Sequence, residues 1–169
     1  MKYREEHRDL FTVNYGLTGI GKGNFYCYAH CISADLGMFG GIAVEFNKRW
    51  DMKMVLMRKY QDEGLQKKFR KSKALVLPER VEDTFMNGNP GITFVYNLVT
   101  KELVEQKPTY DSLRETLIMT RDLMIFHGHK KLAIPKIGCG IDGLEWEIVS
   151  GIIKDVFKNT DIEILVCIR

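Results

Sequence analysis

The stretch Leu132-Ala133-Ile134-Pro135-Lys136-Ile137-Gly138-Cys139-Gly140-Ile141-Asp142-Gly143 decides how this chain reads. A short apolar run opens into a glycine-rich loop, and the amphipathic segment Leu144 to Lys158 follows. The order is strand, loop, helix, which lets backbone N–H groups approach a phosphate. Three glycines remove the Cβ atoms that would hold an anion off. Asp142 is a poor phosphate ligand, because a carboxylate repels phosphate. It suits a role beside the phosphates, holding a hydroxyl or assisting chemistry. The loop taken alone is equally readable as a tight turn whose glycines serve backbone geometry only.

The rest of the chain sets bounds on that reading. Its 169 residues form one domain, 1–169, long enough for a substantial core. The formal net charge of +3 is too small to imply a nucleic-acid partner. The densest charge run, Lys67-Lys68-Phe69-Arg70-Lys71-Ser72-Lys73, reads as a solvated helix end. No apolar run reaches membrane-spanning length, and the charged start Met1-Lys2-Tyr3-Arg4-Glu5-Glu6 lacks an apolar signal segment. Cys27, Cys31, Cys139 and Cys167 have no CxxC pairing and read as buried thiols of a reducing cytosol. A cytoplasmic monomer is expected, with the nucleus also open to a eukaryotic chain. None of His7, His30, His127 and His129 has metal-ligand spacing, so neither metal nor other cofactor is expected. His127 and His129 straddle Gly128 and read as a solvated helix cap.

Elements alternate along the chain. Strands are expected over Lys2–Glu6, Asn24–Ser33, Ala74–Leu77, Ile92–Thr100, Lys131–Ile137 and Ile162–Ile168. Helices are expected from Gly41 to Trp50, from an Asp51 N-cap to Tyr60, from Pro108-Thr109-Tyr110 to about His127, and from Leu144. Asn87-Gly88-Asn89-Pro90-Gly91 is a strong turn signal. Alternation of this kind predicts an α/β sandwich with helices on both faces of a largely parallel sheet. Gly16-Leu17-Thr18-Gly19-Ile20-Gly21-Lys22 imitates a P-loop. However, Gly23 stands where Ser or Thr must hold magnesium, and a strand-like run follows where a helix must open. The segment reads instead as a flexible glycine-rich connection.

In open α/β sheets ligands bind at the carboxyl ends of the strands. Lys101 ends one expected strand and Asp142 follows another, so both belong at that edge. Gly37-Met38-Phe39-Gly40-Gly41-Ile42-Ala43 is a second glycine loop between a strand and a helix. Two such loops on one edge suit a diphosphate. The plainer alternatives are a surface lysine ending a strand and ordinary packing of Met38-Phe39.

These pieces resemble a macrodomain of the terminal ADP-ribose protein glycohydrolase type, related to O-acetyl-ADP-ribose deacetylases. The resemblance is carried by Asp9-Leu10-Phe11, His30-Cys31-Ile32-Ser33, Gly40-Gly41-Ile42-Ala43, Thr100-Lys101, Lys107-Pro108-Thr109-Tyr110 and Pro135-Lys136-Ile137-Gly138-Cys139-Gly140-Ile141-Asp142. They span nearly the whole chain in family order. The resemblance implies a three-layer α/β/α fold with a mixed, largely parallel sheet and an ADP-ribose cleft. Asp9 would accept a hydrogen bond from the adenine amino group. Gly40, Gly41, Ile42 and Ala43 would line one side of the diphosphate, and Gly138, Cys139, Gly140 and Ile141 the other. Leu10, Ser33, Thr100, Pro135 and Ile137 complete the implied ligand contacts. Lys101 would be the nucleophile and Asp142 its acidic partner. His30-Cys31-Ile32-Ser33 replaces the asparagine-rich motif of the other hydrolytic macrodomains, which argues against a water positioned by asparagine. The sequence departs from the pattern at Phe39 and Arg8, where glycine is usual. Asn14 to Gly23 and the turn around Asn87 are also longer than the pattern needs.

The implied partners are ADP-ribose and its adducts. One reading is a hydrolase acting on ADP-ribosyl glutamate or aspartate, or on O-acetyl-ADP-ribose. A second removes ADP-ribose from DNA bases, with Lys67 to Lys73 on phosphates. A third is a non-catalytic reader, which would need no nucleophile. An amine attacks only when neutral, so burial or nearby positive charge must free Lys101 of its proton, and a neighbouring carboxylate opposes this.

Overall fold

The computed structural model describes residues 1–17, 24–38, 40–60, 64–84 and 90–169. Among them, six strands form one mixed sheet: β1 (Lys2–His7), β2 (Cys27–Ser33), β3 (Leu75–Thr84), β4 (Pro90–Lys101), β5 (Lys131–Ile134) and β6 (Glu163–Ile168), in spatial order β1-β6-β5-β2-β4-β3. Only the β3–β4 pair is antiparallel. The helices are α1 (Ile42–Trp50), α2 (Met52–Tyr60), α3 (Leu65–Ser72), α4 (Tyr110–His127) and α5 (Trp146–Phe157), with a 3-10 turn at Leu10–Thr12.

Strand alternation divides the core into two layers. On one face, Tyr28, Val95, Val99, Ala133 and Leu165 meet Phe11, Phe46, Met52, Leu56 and Phe69 from the 3-10 turn and α1 to α3. On the other, Cys27, Ala29, Leu98, Leu132 and Ile164 meet Leu113, Leu117, Met124, Val149 and Ile153 from α4 and α5. The sheet is buried on both sides, as parallel sheets generally are, and the architecture is a three-layer α/β/α sandwich.

Several boundaries differ from the sequence reading for physical reasons. β5 stops at Ile134, because Pro135 has no N–H to give the ladder. β3 runs through Pro78 to Thr84, since it is an edge strand and Pro is tolerated there. Asn87 to Asn89 lie outside the described residues, while Pro90 and Gly91 already belong to β4. Asp51 stands at the N-cap position of α2, and its carbonyl accepts the Val55 N–H at 3.0 Å. It also closes α1 in the left-handed conformation, and Asn47 Oδ1 accepts the Lys53 N–H at 3.0 Å. The basic run is α3 itself, which seats Leu65 and Phe69 in the core and turns its cations outward. His129 is not a solvated cap. It is buried against Phe25 and Phe94, and its Nδ1 lies 2.7 Å from the Tyr96 hydroxyl. Cys27 and Cys167 are buried, but Cys31 and Cys139 are only partly so; all four are free thiols. Residues 18–23 of the P-loop-like stretch and Phe39 lie outside the described residues. Among those described, no helix is long and apolar enough to cross a membrane.

Candidate active site

The carboxyl ends of β2, β4 and β5 open on a cavity of about 240 Å³. Two loops wall it. The first leads from β2 into α1. Gly41 precedes the helix at φ 61°, ψ −150°, a conformation open essentially to glycine alone. No side chain caps α1, so its first N–H groups remain available to an anion. The second loop joins β5 to α5. Its turn is closed by the N–H groups of Ile137, Cys139, Gly143 and Leu144, bonded to Pro135, Lys136, Gly140 and Gly138 carbonyls. Those four bonds leave the N–H groups of Gly138, Gly140 and Ile141 out of the turn.

On the wall of the cavity, Lys101 Nζ lies 2.6 Å from Asp142 Oδ1 and 2.9 Å from the Val104 carbonyl. The lysine is 8% exposed, so little of it meets solvent. A local irregularity delivers it. Ile32 stands opposite Val99, but Ser33 stands opposite Lys101, which leaves Thr100 as an extra residue in β4. Such a bulge redirects the side chains at a strand end. The start of α4 locks the same place: Ser112 Oγ donates to the Thr100 carbonyl at 2.8 Å and forms a reciprocal capping box with Thr109. That is the structural work of Pro108-Thr109-Tyr110.

The structure brings together most of the residues singled out from sequence. Lys101, Asp142, Ser33, Gly40, Gly41, Ile42, Ala43, Pro135, Ile137, Gly138, Gly140 and Ile141 all line the cavity. Leu10 lines a neighbouring cavity of about 230 Å³ that shares Ile42, Pro135 and Lys136 with the first. Thr100 faces a third of about 350 Å³ behind the 102–107 segment. Asp9 and Cys139 line none of the three. Asp9 Oδ1 accepts the Phe11 N–H at 3.0 Å, capping the 3-10 turn, and lies 3.5 Å from Arg169. Sequence reasoning missed Cys31, Ile32, Met38, Val104 and Lys136 in the main cavity and Arg169 beside Leu10. Val104 left no signal because its backbone carbonyl makes the contact. Arg169 left none because its place follows from β6 lying between β1 and β5.

Electrostatics narrows the choice of nucleophile. Burial, and then the charge of Asp142, pushes the Cys31 thiol up to about 12. Burial also raises Cys139. Both thiols stay protonated at neutral pH and are poor nucleophiles.

His30 belongs to the fold rather than to the chemistry. It stacks on Phe46 at 3.9 Å with the rings 10° apart, and its Nε2 lies 2.6 Å from Asn97 Oδ1. Burial lowers it to about 4, with the Asn97 bond acting in the opposite direction. A histidine depressed on folding takes up its proton more readily when unfolded. Its contribution is complete above the unfolded value near 6.5 and is lost as pH falls toward 4, by up to about 3 kcal/mol. Urea midpoints should therefore fall over this range, and His30→Gln should flatten that part of the profile. An unchanged slope would show that His30 does not carry it.

No protein-family model matches the chain. Among curated proteins, it is 37% identical over 137 residues to the ADP-ribose glycohydrolase OARD1 of Bos taurus, covering 81% of this chain and 78% of that protein. The Homo sapiens OARD1 is 36% identical over 138 residues, covering 82% and 78%. Solved structures extend the likeness of fold. The macrodomain of Mycobacterium tuberculosis DarG superposes with a TM-score of 0.72 at 17% identity, over 98% of this chain and 96% of that one. Thermosipho africanus DarTG, solved in complex with ADP-ribose, gives 0.74 at 19% identity, over 99% of this chain and 42% of that one. By identity, coverage and architecture, the chain belongs to the OARD1 family of ADP-ribose glycohydrolases, built on the macrodomain fold.

Proposed function

We propose that this protein removes ADP-ribose from acylated adducts, namely ADP-ribosyl glutamate or aspartate and O-acetyl-ADP-ribose, with Lys101 as nucleophile and Asp142 as its proton partner. The observation that carries the reading is the 2.6 Å Lys101–Asp142 pair in a cleft walled by two glycine loops. The loops hold the diphosphate through backbone N–H groups and place the distal ribose against Lys101. The ammonium passes a proton to Asp142, and the freed amine attacks C1″. A C–N bond forms as the bond from C1″ to the acyl oxygen breaks, and the carboxylate leaves. Water then adds at C1″ and loses a proton to solvent, the C–N bond breaks, and Asp142 returns its proton to the departing amine. ADP-ribose is released and Lys101 is restored.

A second substrate class is favoured by one feature. The cations of α3 lie outward beside the cavity that Lys73 and Lys107 share with Lys101. These charges fit a nucleic-acid leaving group, so an ADP-ribosylated DNA base is the alternative. Parallel incubation with ADP-ribosylated glutamate peptide, O-acetyl-ADP-ribose and ADP-ribosylated DNA decides between them. Release from the acyl substrates alone supports the first reading, and release from DNA alone overturns it.

Binding is testable separately. Free ADP-ribose should bind with a micromolar-range Kd, roughly −8 kcal/mol. Asp9→Ala should weaken binding, and loss of its cap on the Phe11 N–H should also cost stability on the order of 1 kcal/mol. Calorimetry with ADP-ribose and AMP measures both affinities, and no heat from ADP-ribose at high protein concentration would sink the site.

A further inference from the structure

We propose that Asp35 is a positioning residue for the reaction: one carboxylate clasps the diphosphate-side loop to the segment that carries Lys101's carbonyl partner. The proposal rests on the reading of Lys101 as nucleophile. Beyond β2, pairing with the chain after β4 continues, through Ala34 N to Lys101 O at 2.9 Å and Asp35 N to Glu102 O at 3.0 Å. The two oxygens of Asp35 then do different work. Oδ1 accepts the Ser33 hydroxyl at 2.5 Å and the Gly37 N–H at 3.2 Å. Oδ2 accepts the Val104 N–H at 3.0 Å. The carbonyl of that same Val104 holds Lys101 Nζ at 2.9 Å. A chain of contacts thus runs from Asp35 through Val104 to the amine.

The packing around this clasp is close on both sides. A Cβ at Gly37 would meet Val104 Cβ at 2.7 Å, so the two segments touch backbone to side chain. Leu36 and Met38, on either side of Gly37, hold φ of 55° and 51°, a conformation that L residues adopt at a cost. Strain of this kind persists where surrounding bonds over-determine the backbone, and Asp35 supplies bonds that do so. Burial alone would raise the Asp35 carboxyl, but the hydrogen bonds from Ser33, Val104 and Gly37 outweigh it and hold the group below its ordinary value. The clasp is therefore a charge-assisted one. Near-attack geometry is sensitive to shifts of an ångström, and Asp35 fixes the acceptor of Lys101 that, among the described residues, does not take part in the proposed proton transfer.

The test uses the full chain and two readouts. Asp35→Ala should lower kcat by about 30-fold or more while the Kd for ADP-ribose stays within about threefold. Asp35→Asn should recover much of the rate, because an amide oxygen can still accept the Val104 N–H. Gly37→Ala, which presses on Val104 from the other side, should show the same split. The second readout needs no turnover: reductive methylation with formaldehyde, mapped by mass spectrometry, should label Lys101 several-fold faster in Asp35→Ala, with the other lysines unchanged. A purely structural role would lower the melting temperature and leave both the rate split and the Lys101 labelling as in the wild type, and that result overturns the proposal. A wild-type protein that turns over no substrate would count against the proposed function, and the labelling would still decide the role of Asp35.

Discussion

Lys101→Ala is expected to abolish turnover, by at least about 10³-fold, while ADP-ribose affinity stays within about tenfold. The separation follows from where the contacts come from. The proposed diphosphate contacts are backbone N–H groups of the two loops, which a truncated side chain at the end of β4 leaves in place. On the proposed reading the reacting carbon is approached by the Lys101 amine, and burial keeps the nearby Cys31 and Cys139 thiols protonated. Lys101→Arg should fail equally. A guanidinium stays protonated and offers no lone pair to a sugar carbon, although it preserves the charge beside Asp142. The pair of variants therefore separates nucleophile from counter-charge: an ion pair that merely orients substrate would tolerate arginine. Single-turnover assays with ADP-ribosylated glutamate, alongside calorimetry on the same preparations, measure both quantities. Full activity in Lys101→Ala would end the covalent mechanism and point to direct attack by water.

The parts of this site legible in the sequence were those written in local chemistry. Glycine loops between strands and helices, the Pro108-Thr109 helix start and the strand ending in Lys101 all have short-range signatures, and each lies where the sequence places it. What stayed hidden depends on tertiary context. The extra residue at Thr100 is a property of the β2–β4 register, which no single strand reveals. Val104 acts through its backbone, whose chemistry is the same at every non-proline position. His129 resembled a helix-end cation because of its neighbours in sequence, but Phe25, Phe94 and Tyr96 come from elsewhere in the chain to bury it. Pro78 signalled a break, yet β3 is an edge strand, where a missing N–H need not cost a ladder bond.

Asp142→Ala should also stop turnover, but at a different stage and with a different product. In the intact protein the carboxylate lies 2.6 Å from the Lys101 amine, close enough to take its proton before attack and to return one when the adduct is resolved. With the carboxylate gone, the amine, still held by the Val104 carbonyl, can give its proton to solvent, so the first attack can still proceed. The second stage has no such relief. Hydrolysis of the C–N bond requires a proton for the departing amine and a group to orient water, and among the described residues Asp142 is the carboxylate paired with that amine. ADP-ribose should therefore accumulate on Lys101, adding the mass of one ADP-ribose less one water in intact-mass spectra. Peptide mapping should place it at Lys101, and the Lys101→Ala/Asp142→Ala double variant should show none. A dead Asp142→Ala enzyme without adduct would show that the attack itself already requires Asp142 to take the Lys101 proton. Wild-type turnover would remove Asp142 from the chemistry altogether.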